Sequence, residues 1–417
     1  MKKFLEKENK KRRLPLVFVF VIAFFFGGAG IFLFLDQHTS PVYAQHVSLQ
    51  NTATKHFNTA DLHIAQYSDK HITQNAIISD PHLNTLALAD FIKEDSQSAQ
   101  ILSPISQVAG ADLAQIDQTS EKEYGTWVWT PTLEMTPAYM NTIISGAKSA
   151  GINTIYVSID SYLDIYAMSD GPTKEAQKKL FTNTLEHFVK LAHEDDIAVD
   201  AEAGWRDWAE DGNTYKAFAV INFAKEFNRT QVYTLRGFQY DVEPYLLASY
   251  QTEPVPVLEN FLALIDESIT LLGPKDTSRD LQLSVVIPDF FDNDQSTVAP
   301  FAFNGQTSST YNHLLDTLER RPGSDVIIMA YRNFAEGNDG SIDISNNEVQ
   351  TATNGMYSTK IIIAQETGDV MPPYITFNNT SKKYYSEELQ KLIQAFTPYA
   401  NFGGVAVHYV NAFLTLK

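Results

Sequence analysis

The chain contains no cysteine among its 417 residues. That excludes disulfide bridges, thiolate metal centres and cysteine nucleophiles. Basic residues become scarce once the N-terminus is set aside. Residues 1–13 (MKKFLEKENKKRR) hold seven Lys/Arg and two Glu, so the totals of 31 Lys/Arg and 50 Asp/Glu leave 24 and 48, a formal charge of −24. Such a body repels nucleic-acid phosphates, and no nucleic-acid partner is expected. A neutral or cationic substrate suits it better. A glycine-rich phosphate loop is missing as well. The first β-rich run, TWVWTP, leads into TLEMTPAYM without a glycine, which removes most of the ground for a nucleotide-binding, doubly wound fold. His56, His63, His71 and His82 are scattered through a polar stretch and read as solvated. Neither a metal nor a cofactor is expected, since no motif has metal-ligand spacing.

What is present begins with a long apolar run. Residues 14–35 (LPLVFVFVIAFFFGGAGIFLFL) carry no charge, and about 20 such residues span a bilayer as a helix. The basic run before it, residues 1–13, predicts a cytoplasmic n-region, with everything after Asp36 outside. Two readings stay open here. The run is a transmembrane anchor, making the membrane a partner through residues 14–35, or a signal h-region cut after Val42-Tyr43-Ala44. Both predict an extracytoplasmic protein. Residues 36–120 read as a polar linker, with apolar spacing for one or two short helices within 83–116.

From residue 121 to 417 the pattern changes. Eight short apolar runs recur: 126–131, 154–160, 197–205, 237–245, 281–291, 325–334, 360–369 and 403–413. Helical patterns such as TPAYMNTIISGAKSAG lie between them, with Thr136-Pro137 as a start signal and Gly151 as a stop. Strand, helix, strand at this spacing predicts an α/β fold with parallel strands, and eight units predict a closed (β/α)8 TIM barrel.

In such a barrel the site lies at the C-terminal strand ends. The polar and aromatic residues expected there are Trp129, Asp160, Asp200, Glu202, Trp205, Asp241, Glu243, Asp289, Tyr331, Arg332, Glu366 and His408. The fourth run is the most informative. With side chains alternating by two, Gln239, Asp241 and Glu243 share one face, and Tyr240 and Val242 the other. Two acids side by side and partly buried raise the pKa of one, and a protonated carboxyl near neutral pH is what a glycosidic leaving group needs. The plainer reading is that both acids pair with Arg332 or another base and serve stability. Trp127 and Trp129 point the same way, so one is a candidate sugar platform.

The run GFQYDVE resembles the D-G-x-D-x-D-x-E strand of the family-18, chitinase-like glycosidases, with Gln239 where that family has its first strand acid. Met329-Ala330-Tyr331-Arg332 resembles the family's M-x-Y-D strand, and LSVVIP and Gly403-Gly404-Val405 resemble two others. The resemblance implies Glu243 as proton donor, Asp241 orienting a substrate N-acetyl group and Tyr331 bonding it. It departs at Arg332 and at His408, where that family usually has a tryptophan. The chain also resembles the large barrel clan with an acid/base Glu on strand four and a nucleophile Glu on strand seven. That likeness implies Glu243 and Glu366 as a pair about 5–5.5 Å apart. A group of bacterial exported barrels with D-V-E-P-Y, Y-R and E-T strands is similar too.

The expectation is therefore an extracytoplasmic glycoside hydrolase acting on a cell-surface or extracellular polysaccharide. Glu243, Asp241 and Glu366 are its catalytic candidates. Trp129, Asp160, Glu202, Trp205, Asp289, Tyr331, Arg332 and His408 are expected to bind the carbohydrate. The rival expectation is a catalytically inactive barrel that binds glycan or protein at the cell surface. A deacetylase would need a metal triad that the sequence does not offer.

Overall fold

The computed structural model describes residues 122–292 and 298–417. The basic n-region, the apolar run 14–35 and the linker 36–120 lie outside the described residues. Among the described residues, no helix is long and apolar enough to cross a membrane.

Eight parallel strands close into a barrel: β1 (Glu123–Val128), β2 (Thr154–Ser158), β3 (Ala198–Ala203), β4 (Gly237–Tyr240), β5 (Gln282–Pro288), β6 (Asp325–Met329), β7 (Lys360–Glu366) and β8 (Phe402–His408). Each pairs with the next in sequence, and β8 returns to β1. The fold is the (β/α)8 barrel that the eight runs predicted, and each strand overlaps one of those runs, β1 beginning three residues ahead of its own. Amphipathic helices cover the outside, among them α1 (Pro137–Ser149), α2 (Tyr162–Ala167), α3 (Pro172–Glu194), α4 (Thr214–Thr230) and α5 (Pro254–Leu272). The chain then forms a small hairpin, Phe301–Phe303 with Gln306–Ser308, that the sequence did not announce. It continues through α6 (Thr310–Leu318), α7 (Ser341–Asn354) and α8 (Lys382–Phe396). A five-residue helix, α9 (Val410–Leu414), follows the last strand and packs on α1 and β1.

Local signals set the first βα unit. The Thr136 side chain accepts the Tyr139 N–H at 3.2 Å, and Pro137 takes the first helical position, where no N–H is needed. Gly151 follows the helix at φ +76°, a turn that glycine makes without the steric cost a side chain would add.

Period two sorts the strand residues into two cores. Ile155, Val157, Val199, Ala201, Phe238, Tyr240, Val285, Ile328, Ile363 and Val407 face the helices in the larger one. Trp127, Tyr156, Val286, Ile327, Ile362, Ala364 and Ala406 fill the barrel. Trp127 packs tilted against Tyr156, with ring centroids 4.7 Å apart and planes at 52°.

The floor of the barrel is ionic. Arg236 donates to Asp200 at 2.9 and 2.5 Å and to Glu123 at 2.5 Å, and Tyr156 bonds Glu123. Asp200, expected near the strand ends, thus belongs to the opposite end. In register it sits beside Tyr156 and Gly237, two residues below Glu202. This sequesters Arg236 far from the mouth.

Candidate active site

The strands end on acids. On β2, β3 and β4 the inward parity runs through Tyr156, Gln239 and Asp200 to Asp160, Glu202, Asp241 and Glu243. β4 stops at Tyr240, so Asp241 and Glu243 stand just past it, although the Asp241 N–H still reaches the Ala203 carbonyl at 3.2 Å. A turn at Pro244–Leu246 follows. Gly204 makes the close approach possible: a Cβ there would lie 1.9 Å from the Asp241 carbonyl oxygen.

Asp160, Glu202 and Asp241 act on one another. Burial pushes the Asp160 carboxyl well up; the Gly204 N–H works against this, and Asp241 adds to the rise. Burial raises Glu202 as well, helped by Asp160 and Asp241 and opposed by Ser158. Asp241 is pushed up to about 6 by burial, with a charged His408 as the opposing influence. Below them Gln239 is buried, its Oε1 taking the Trp127 indole N–H at 2.7 Å.

Glu243 is half-buried and accepts the hydroxyl of Tyr245. Sequence reasoning missed Tyr245, which lies in the turn past the strand and carries no acid to mark it. Burial raises its hydroxyl pKa well above the usual range, and Glu243, Asp241 and Tyr331 add to the rise. These four side chains are therefore neighbours.

On the other side, β7, β8 and β1 supply a chain of bonds. Glu366 accepts the Gly368 N–H at 2.5 Å and meets His408 Nδ1 at 2.7 Å, while His408 Nε2 faces the Trp129 indole N–H at 3.0 Å. An indole nitrogen can only donate. His408 Nε2 must therefore accept, which leaves the proton on Nδ1 and gives it to Glu366. The ring is neutral in this arrangement, so burial governs Asp241. Tyr331 stacks on His408 with centroids 6.0 Å apart. Tyr331 neighbours both Tyr245 and His408, and so joins the Glu243 side of the mouth to the Glu366 side.

Past the ends of β7 and β8 a polar cleft of about 260 Å³ opens between Thr367, Asp369, Asn378, Tyr409, Asn411 and Lys417; neither Glu366 nor His408 lines it.

No family model matches the chain, and no curated protein matches it in sequence. Solved structures share the general shape. An endo-1,4-β-D-mannanase of Thermotoga petrophila aligns with a TM-score of 0.45 and 12% identity, over 69% of this chain and 88% of that one. An endo-1,4-β-mannanase of Rhizomucor miehei gives 0.45 and 11%, over 69% and 85%. A D-psicose 3-epimerase of Clostridium cellulolyticum gives 0.39 and 9%, over 69% and 84%. Likeness this distant decides nothing about activity, and the fold rests on the strand pairing itself.

Three expected residues lie elsewhere. Arg332 has the parity of Val326, Ile328 and Ala330, so it turns outward. Its guanidinium goes to Asp339 at 2.5 Å and to the Tyr331 carbonyl at 2.9 Å, and neither Asp241 nor Glu366 is its partner. Asp289 has the parity of Val285 and Ile287 and joins that outward group. Burial pushes it up to about 7, with Arg332 opposing and Asp339 adding to the rise. Trp205 shares the outward parity of Ala201 and Ala203 and packs half-buried against the outer core. Its loop neighbour Trp208 is buried edge-on to Tyr240. Among the described residues, no group of three or more His, Asp or Glu is arranged to hold a metal ion.

Proposed function

We propose that the chain is a glycoside hydrolase that cuts a cell-surface or extracellular polysaccharide by the retaining route. The observation that carries this is that two carboxyls in different settings stand at the same end of the barrel: Glu243 just past β4 with the Tyr245 hydroxyl, and Glu366 at the end of β7 with two N–H donors. Accepting two N–H bonds suits a carboxylate that stays ionised and attacks the anomeric carbon. Glu243 stands next to a second acid, Asp241, and suits proton transfer. In the first step Glu243 gives its proton to the glycosidic oxygen as Glu366 forms the glycosyl bond. In the second, Glu243 takes a proton from the water that breaks that bond. Tyr331 and Trp129 wall the site and Asp241 faces it. The family-18 route, with a substrate acetamide as nucleophile, leaves the Glu366–His408 pair without a task.

We place this activity outside the cytoplasm, because the run 14–35 reads as an anchor or a signal. The second reading, a barrel that binds glycan without cutting it, is favoured by Gln239, whose amide oxygen is held by Trp127 where the chitinase-like strand has an acid.

The test is release of reducing ends from a panel of bacterial wall and capsule polysaccharides. Glu243→Gln and Glu366→Gln are each expected to lower the rate about 10²–10⁴-fold while glycan binding persists. A wild-type protein that binds a glycan and releases nothing supports the second reading instead.

A further inference from the structure

The acids at the mouth outnumber what hydrolysis needs. Glu243 and Glu366 suffice for the two proton and carbon transfers, yet Asp160, Glu202 and Asp241 converge beside them. Glu202 is 1% exposed and its Oε2 has no hydrogen-bond partner; Asp160 Oδ1 and Asp241 Oδ1 are buried and unpartnered too. Unmade bonds of this kind cost about 1–3 kcal/mol each, so the cluster is built for something that completes it.

A second observation comes from a neutral side chain. Gln239 is fully buried, pairs in register with Glu202 and shares a face with Asp241. Its Oε1 is held by Trp127, which fixes the amide and leaves Nε2 without a partner beneath the acids. The cluster thus holds three carboxyl oxygens and one amide nitrogen without hydrogen-bond partners.

Charge narrows the class of guest. Asp160, Glu202 and Asp241 act on one another through their charges. Arg236 is committed to the floor and Arg332 to Asp339. A hydroxyl would satisfy an oxygen but leave on these acids the protons that burial and mutual repulsion keep there. An ammonium satisfies the oxygen and offsets the repulsion, and the −24 body draws a polycation toward the mouth.

We propose that Asp160, Glu202 and Asp241 recognise a primary ammonium on the substrate, so that the glycan carries free 2-amino sugars. Gln239 Nε2 then donates to a neighbouring sugar oxygen. This rests on the hydrolase reading for its setting but on none of its chemistry.

Binding decides it separately from turnover. The full chain with Glu243→Gln is titrated calorimetrically with oligosaccharides that differ only at C2: free amine, acetamide or hydroxyl, in gluco and galacto configurations. The free-amine oligomer is expected to bind at least tenfold tighter than both others in one configuration. That preference is expected to shrink in 1 M salt and to vanish in Asp160→Asn and Asp241→Asn, with circular dichroism confirming that each is folded. Equal or tighter binding of the acetamide or hydroxyl oligomers overturns the proposal. So does a preference untouched in the folded variants, or displacement of the amine by micromolar calcium. Cleavage of a neutral glycan without amine preference sinks this inference and leaves the hydrolase. Amine-selective binding without cleavage of any glycan does the reverse.

Discussion

The indole N–H of Trp129 ends on Nε2 of His408 at 3.0 Å, and the opposite ring nitrogen meets Glu366 at 2.7 Å. The first bond sets the second. With Nε2 obliged to accept, the imidazole carries its proton on Nδ1, so Glu366 receives a neutral N–H rather than a full imidazolium. A nucleophile held by a neutral donor keeps more of its reactivity than one paired with a cation. Trp129→Phe frees Nε2 for protonation. Nitrogen NMR of His408 is expected to show the Nδ1–H tautomer in the wild type. The variant is expected to become imidazolium at distinctly higher pH, with a drop in kcat and little change in KM. A wild-type ring protonated on Nε2 would sink the assignment.

Tyr245 bears on the other carboxyl. Its hydroxyl donates to Glu243, and a hydrogen bond to a carboxylate favours the ionised form. Removing it in Tyr245→Phe makes the Glu243 proton harder to lose. The basic limb of kcat/KM is therefore expected to move to higher pH. A profile that keeps its basic limb in the folded variant assigns that limb to another group.

Most of the barrel was legible because each strand carries its own period-two record. Gln239 bonds Trp127 inside the barrel while Tyr240 bonds Ser268 on α5 outside, as the alternation required. The same rule was under-used elsewhere. Tyr331 and Arg332 are adjacent, so they cannot both face inward, and the larger charge turned toward Asp339. Asp289 was misplaced for the same reason, one residue out of phase with Val286. Other features had no local signal. The Trp129–His408 bond joins residues on the first and last strands and exists only because the barrel closes. Tyr245 reaches Glu243 through a turn whose path the strand pattern does not foretell.

Gly204 tests the packing between β3 and the end of β4. A Cβ built there would lie 1.9 Å from the Asp241 carbonyl oxygen and 2.8 Å from its Cα, so backbone must move. The same residue's N–H supports Asp160. Gly204→Ala is expected to cost about 3 kcal/mol or more, at or above the upper end of overpacking. It should also displace Asp160 and Asp241 together. Chemical denaturation measures the first effect, and loss of glycan binding in the folded fraction measures the second. An alanine variant with wild-type stability would mean that the strands stand further apart than described.

Asp289 makes the pH dependence of stability testable away from the site. Burial pushes its carboxyl up to about 7, above the roughly 3.9 of an unfolded aspartate. The native state therefore holds a proton that the unfolded chain has already released. Its stabilising contribution is full below about pH 4 and is lost as pH rises through about 7. Asp325, raised to about 8 at the barrel floor, acts in the same direction. Asp289→Asn mimics the protonated form at every pH. The variant is expected to approach the wild type below about pH 4 and to melt several degrees higher at pH 8, where the difference approaches at most about 4 kcal/mol. Arg332 keeps Asp339 as its partner in the variant, so no unpaired guanidinium offsets the gain. If the difference in Tm between variant and wild type is the same at both pH values, Asp289 is ionised in the native state and Arg332 outweighs its burial.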